Sequence, residues 1–200
     1  MLDNIIDLSH FNASPDFSTL KSNGVVGVIH KATQGGQWTD PTYAARKTAA
    51  LNAGLYWGAY HFGDGRDVAT QVKHFLSVAA GTTLLVLDVE ENTSGPSMTL
   101  TQAEQFVTQV QAATGHWPGL YCGSYLKQIL TNVHSTVLIN CWLWYADYEK
   151  TPAPAFPPIW PIWTMWQYTD AGCPCNNAFA CDRDRFNGSM PSLMKLFGAS

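Results

Sequence analysis

Charge is scarce in this sequence. Its 200 residues hold 11 Lys and Arg against 15 Asp and Glu, so that 13% of the side chains are charged, about half the usual 25%. With 46% hydrophobic residues, that scarcity argues against disorder. The few basic side chains nowhere cluster, which argues against a nucleic-acid groove. No run of about 18 apolar residues occurs, so no membrane insertion is expected. The opening MLDNIIDLSHFNASP sets Asp3 and Asp7 where a secretory leader carries basic residues and then an unbroken apolar stretch. The expected product is therefore made in the cytoplasm, or has had a leader removed. GxGxxG, Walker A, HExxH and GxSxG are all missing, so dinucleotide, P-loop, zincin and serine-hydrolase chemistry lack their usual supports.

Cysteine is present in an odd number, five, so at least one thiol is unpaired within a monomer. Cys122 and Cys141 lie in apolar runs, where a thiol behaves as a small hydrophobe. Cys173, Cys175 and Cys181 crowd one Gly/Pro/Asn-rich stretch and could close a small loop in an oxidising compartment. Their spacing lacks the second pair and nearby His of a zinc site.

What is present is an alternation of strand and helix patterns. Strands are expected at 4–9, 25–30, 55–62, 83–90 and 117–122, each followed by helical spacing. Ser14-Pro15, Asp40-Pro41, a Thr101…Glu104 capping box and Ser124 open the successive helices, and Gly24, Gly54, Gly81 and Gly115 close them. After that the rhythm changes: 138–147 and 163–169 read as strands with no helix between. Five βα units followed by strands alone predict one domain over residues 1–200, an irregular TIM-like (β/α)5β3 barrel of the α/β class. An open doubly wound sheet is the alternative.

A βα barrel carries its chemistry at the C-terminal ends of its strands. Those ends hold Asp7-Leu-Ser9-His10, His30-Lys31, Tyr60-His61, Asp88-Val-Glu90, Tyr121, Trp144-Tyr145 and Gln167-Tyr168. Asp88 and Glu90 face the same side of one strand, with backbones roughly 6.5–7 Å apart. Their repulsion and the apolar run before them favour the protonated form of one. Glu90, with the longer reach, is the candidate proton donor, and Asp7 adds a third carboxyl. Trp144, Tyr145, Tyr60 and Tyr121 are placed to stack on sugar faces, whereas Trp57, Trp117 and Trp163 read as core. His10, His30 and His61 leave a metal-dependent barrel hydrolase open as an alternative, although no metal-ligand spacing supports it.

At these residues the sequence resembles glycoside hydrolase family 25, the muramidases. The resemblance runs through IIDLSHFN, HKAT, GAYHF, LLVLDVE, GLYCGSY, LWYADY, MWQYT and CDRDRFNG, in that order and nearly end to end. It implies a (β/α)5β3 barrel that cleaves the β-1,4 bond between N-acetylmuramic acid and N-acetylglucosamine. It also implies an acidic site of Glu90, Asp88, Asp7 and Asp182, a saccharide groove lined by Lys31, Tyr60, Tyr121, Trp144 and Gln167, and neither metal nor cofactor. The expected partner is the glycan strand of bacterial peptidoglycan, met by a monomer acting on the wall after holin-type release or secretion-system delivery. Expected chemistry is retention with acetamido assistance; a non-catalytic wall-binding module is the competing class. Two departures stand out. Gln34 takes the place of the usual Glu after HKAT, and the closing DxN pattern reads Asp182-Arg-Asp184. The insertion GCPCNNAFAC before Asp182 has no counterpart in the pattern.

Overall fold

The computed structural model describes residues 1–148, 156–172 and 179–199. Strands β1 (Leu2–Leu8), β2 (Gly27–Gln34), β4 (Tyr56–Phe62), β5 (Leu84–Asp88), β6 (Gly119–Cys122), β7 (Trp142–Ala146), β8 (Met165–Gly172) and β9 (Cys181–Phe186) follow one another around a ring. Pairing of β1 with β2 closes that ring into an eight-stranded barrel. A short β3 (Trp38–Thr39) folds back on β2 as a hairpin outside it. Neighbours from β1 through β8 run parallel, while β9 is antiparallel to both β8 and β1. The open doubly wound sheet is thereby ruled out.

Helices α1 (Phe17–Ser22), α2 (Tyr43–Asn52), α3 (Val68–Val78), α4 (Leu100–Thr114) and α5 (Ser124–Ile129) follow the early strands, and among the described residues no helix joins β7 to β8. Some expected caps move. The side chain capping α1 is Asp16, whose carboxylate takes the backbone N–H groups of Ser18 and Thr19, rather than Ser14. The capping box of α4 is Thr99 with Gln102, two residues before the Thr101–Glu104 pair. Asp40 does organise the entry to α2, by accepting from the Thr42 N–H and hydroxyl. The stretch 138–147 is not one strand, since a 3-10 turn (Leu138–Asn140) precedes β7.

Alternation along each strand sends one set of side chains outward to the helices and the other into the barrel. Ile6, Leu8, Val28, Leu87, Leu120 and Leu143 join Phe75, Phe106 and Val107 in the outer core. Ile5, Ile29, Val86, Trp144, Met165 and Phe186 fill the interior. The final helix, α6 (Met190–Leu196), closes the lower end of the barrel. Phe197, just after it, lies so close to Gly27 that a Cβ there would sit 2.6 Å from the ring. Interior filling from below leaves room only at the opposite mouth. Among the described residues no helix is long and apolar enough to cross a membrane.

Candidate active site

The strand ends at the mouth carry the polar residues. Asp7, Tyr60, Asp88, Glu90, Tyr121, Trp144, Gln167 and Asp182 line one cavity of about 70 Å³. Seven of them follow from parallel strands read to their ends. Asp182 arrives differently: β9 is antiparallel, so its first inward residue lies at the mouth, in register with Asp7 of β1. Val89 points into the outer core, fully buried, and so leaves Asp88 and Glu90 on the cavity side.

Gln167 organises the floor. Its Oε1 accepts from the Tyr121 hydroxyl at 2.7 Å and the Tyr148 hydroxyl at 2.8 Å. Its Nε2 donates to Asp7 Oδ2 at 2.7 Å and, more weakly, to Asp182 Oδ2 at 3.3 Å. The Trp144 indole meets the Tyr60 and Tyr121 rings edge-on, with centroids 6.3 and 5.0 Å away, and donates to Asp184 Oδ1 at 2.7 Å. These bonds fix the carboxyl groups before any substrate arrives.

A family model for glycosyl hydrolases family 25 matches residues 6–174. This chain belongs to glycosyl hydrolase family 25. Lysozyme M1 of Streptomyces globisporus is 31% identical over 206 residues, covering 96% of this chain and 70% of that protein. The N,O-diacetylmuramidase of Chalaropsis is 29% identical, over 95% of this chain and 96% of its own length. Among solved structures, a bacterial lysozyme from Streptomyces coelicolor superposes with a TM-score of 0.87 at 30% identity, covering 98% of each chain. As a family 25 member the chain is a glycosidase on the barrel of that family.

The electrostatics suit acid chemistry. Burial is the first cause that raises Glu90 above the ordinary carboxyl value; Lys31 opposes the shift and Asp182 adds to it. Asp88 is raised by burial and then by Glu90, again against Lys31. Asp182 is pushed up to about 6, chiefly by burial, and Asp7 is raised by burial with Asp184 and Asp182 beside it. Such a group of carboxyls holds protons to higher pH than isolated ones would.

Other strand-end residues sit elsewhere. Lys31 is not among the residues that line this cavity. It is buried behind it, donating to Gln34 Oε1 at 2.8 Å with its ammonium 4.6 Å from the centre of the Phe62 ring and 5.3 Å from that of Trp38. Its charge still reaches Asp88 and Glu90. Gln34 and Trp38 belong instead to a neighbouring open hollow of about 560 Å³ shared with Arg66, Asp67 and Thr70. Tyr145 turns away from the mouth into the outer core, where its hydroxyl accepts from Lys127 Nζ. It is out of phase with Trp144 by one residue, which in a strand means the opposite face.

The histidines do not gather either. His30 donates from Nδ1 to the Lys31 carbonyl and stacks on Trp57, while His61 lies between Thr33 and Gln71 beneath α3 and α4. Burial lowers both to about 4, so each is a neutral structural group. Cys122 and Cys141 are buried thiols pushed up to about 12 by burial, hence unreactive. The loop pairing considered for Cys173 and Cys175 lies outside the described residues.

Two residues beside the cavity went unassigned by sequence reasoning. Tyr148 donates to Gln167, and Asp184 is completely buried against Trp144. For Asp184 a signal existed: with Asp182 and Phe186 facing inward, a period of two puts residue 184 inward as well.

Proposed function

We propose that the chain hydrolyses bacterial peptidoglycan as an N-acetylmuramidase, cutting the β-1,4 bond between N-acetylmuramic acid and N-acetylglucosamine outside the cell membrane. The observation that carries this reading is the placement of Glu90, raised by burial, beside Asp88 in a cavity shared with Asp7 and Asp182. Glu90 is the general acid: its proton goes to the bridging oxygen as the bond from that oxygen to the anomeric carbon breaks. Lys31 limits how far the Glu90 proton affinity rises, which keeps that proton transferable.

Asp88 serves the substrate's own nucleophile. The 2-acetamido carbonyl attacks the anomeric carbon, and the amide N–H gains positive character that a carboxylate can accept. Asp88 Oδ1 is buried and has no partner among the described residues, so it is free to take that N–H. The cyclic intermediate then opens when water, deprotonated by the Glu90 carboxylate, attacks the anomeric carbon from the face that the leaving group vacated and displaces the acetamido oxygen, giving net retention. This substrate-assisted route departs from the two-carboxylate scheme, and a pair two residues apart on one strand suits it. Asp7 and Asp182, held by Gln167, bind sugar hydroxyls or water on the facing wall, and Tyr60, Tyr121 and Trp144 shape the floor.

Glu90→Gln tests the assignment. Clearing of purified peptidoglycan should fall by about 10²–10⁴-fold with the melting temperature retained, and near-normal turnover would refute it. For the route, proton NMR of the first-formed anomer decides, and an inverted product eliminates acetamido participation.

A further inference from the structure

Asp184 is fully buried, and its two oxygens meet different fates. Oδ1 accepts from the Trp144 indole at 2.7 Å. Oδ2 is buried too, and no donor among the described residues reaches it. Asp184 and Asp7 project inward from adjacent strands one step apart in register, with Asp182 directly opposite Asp7, so that Asp7 lies within hydrogen-bonding reach of both neighbouring carboxyls; two ionised carboxylates offer each other only acceptors. Their contact becomes a hydrogen bond when one of them keeps a proton.

Among the described residues the surroundings supply no countercharge. From β1 Asp7 faces Asp184, and the charge of Asp3 reaches it from the outer side; Asp182 faces it from its own strand, Trp144 from β7, and the uncharged Gln167 lies in register on β8. Arg183 and Arg185 alternate to the outer surface, where both bind Asp3. A buried carboxylate without a paired cation costs several kcal/mol, and the usual response is neutralisation.

We propose that Asp184 is a positioning residue that shares one proton with Asp7, the shared hydrogen bond and the indole bond together fixing Asp7 and Trp144 against the cavity. With that proton in place the pair carries a single negative charge and holds together; once it leaves, two buried anions face each other and the floor loosens. Burial as the first cause, with the charges of Asp182 and Asp3 behind it, raises Asp184 in the same direction. Asp184 itself touches no substrate and acts through the two residues it holds. The proposal rests on the hydrolase reading for its functional half only.

Asp184→Asn supplies the test, because an amide N–H can stand permanently where the shared proton stands. The full chain and the variant are melted from pH 4 to pH 8. At pH 4 the two should melt together. As pH rises the unfolded chain has lost this proton and the folded wild type has kept it, so wild type should fall behind Asp184→Asn by roughly 3–5 °C per pH unit until the pair itself ionises. Parallel profiles, or a variant less stable at every pH, would mean that Asp184 is an ionised acceptor and would overturn the proposal. At acidic pH Asp184→Asn should also keep wild-type kcat, whereas Asp184→Leu, which removes both bonds, should lose at least about tenfold in kcat. An Asp184→Leu enzyme with undiminished kcat would remove the positioning role; should that variant not fold, the Asn profile still decides. The melting profiles do not depend on turnover, so a failure of the Glu90 assignment and a failure of the shared proton are separately visible.

Discussion

Gln167→Glu is the most informative single change at the floor of the cavity. Gln167 is 2% exposed, and all four of its hydrogen-bonding roles are filled. Replacing the amide by a carboxyl preserves its shape and leaves one oxygen to accept from Tyr121 and Tyr148 as before. What changes is the end that faces Asp7 Oδ2 at 2.7 Å and Asp182 Oδ2 at 3.3 Å. A donor becomes an acceptor there.

A hydrogen bond to a charged group contributes about 1.5–3 kcal/mol. The bond to Asp7 is short and the one to Asp182 long, so the loss with the new group ionised is about 3 kcal/mol. For a chain of this length that lowers the melting temperature by about 6–12 °C. The sign of the pH dependence follows from the surroundings. Burial and two neighbouring carboxyls raise the new group's folded pKa above its unfolded value of about 4.3. Below that value it is protonated in both states and donates to Asp7, so the deficit shrinks to under about 1 kcal/mol. The deficit grows as pH rises, until the folded group ionises as well. Thermal unfolding followed by circular dichroism at pH 4, 6 and 8 measures it, with Gln167→Met as a control that loses all four bonds at every pH. A deficit for Gln167→Glu that is independent of pH, or largest at pH 4, would refute the reasoning.

Other perturbations reach the remaining supports of the site. Lys31→Met keeps much of the packing against Phe62 and Trp38 and removes the cation that lowers Asp88 and Glu90. The alkaline limb of kcat/KM should move to higher pH, and a limb that stays or moves down would separate Lys31 from the acid. Gly27→Ala puts a methyl 2.6 Å from the Phe197 ring and should cost about 1–3 kcal/mol, most of it recovered in the Gly27→Ala, Phe197→Leu double variant. A single variant as stable as wild type would mean that Phe197 is not wedged into the barrel.

The parts of the site legible in the sequence are those that ride on regular alternation. Asp88 and Glu90 follow an apolar run whose phase is unambiguous, and Asp7, Tyr60, Tyr121, Trp144 and Gln167 end strands whose inward residues keep a period of two. Tyr145 shows the same rule misapplied: an aromatic at a strand end is not on the cavity side if its neighbour already is. Lys31 keeps the inward phase of Ile29, in register with Tyr60, and the irregularity in β2 comes only after it, between Lys31 and Thr33; its ammonium turns aside to Gln34, a side-chain choice that alternation does not predict. Strand β9 was the hardest to read. CDRDRF puts Arg183 and Arg185 on the outer face and Asp182 and Asp184 on the inner one, so neither face shows the apolar pattern that marks a strand. Asp182 was legible only through the resemblance to the family, and no strand was expected there.

The antiparallel course of that strand has a chemical consequence. Had β9 been parallel, its mouth-side residue would have come from its C-terminal end, where Phe186 sits, and Asp182 would have lain at the plugged end. Running the strand backwards instead lays Asp182 beside Asp7 and Asp184 beside Ile5 in one register. Three inward carboxyls thus share two adjacent strands with no cation between them among the described residues, an arrangement that costs stability unless protons are retained. Retention of those protons ties folding and chemistry to the same condition. At the pH where Glu90 still holds the proton it must deliver, the neighbouring acids are least repulsive and the barrel mouth is most tightly held.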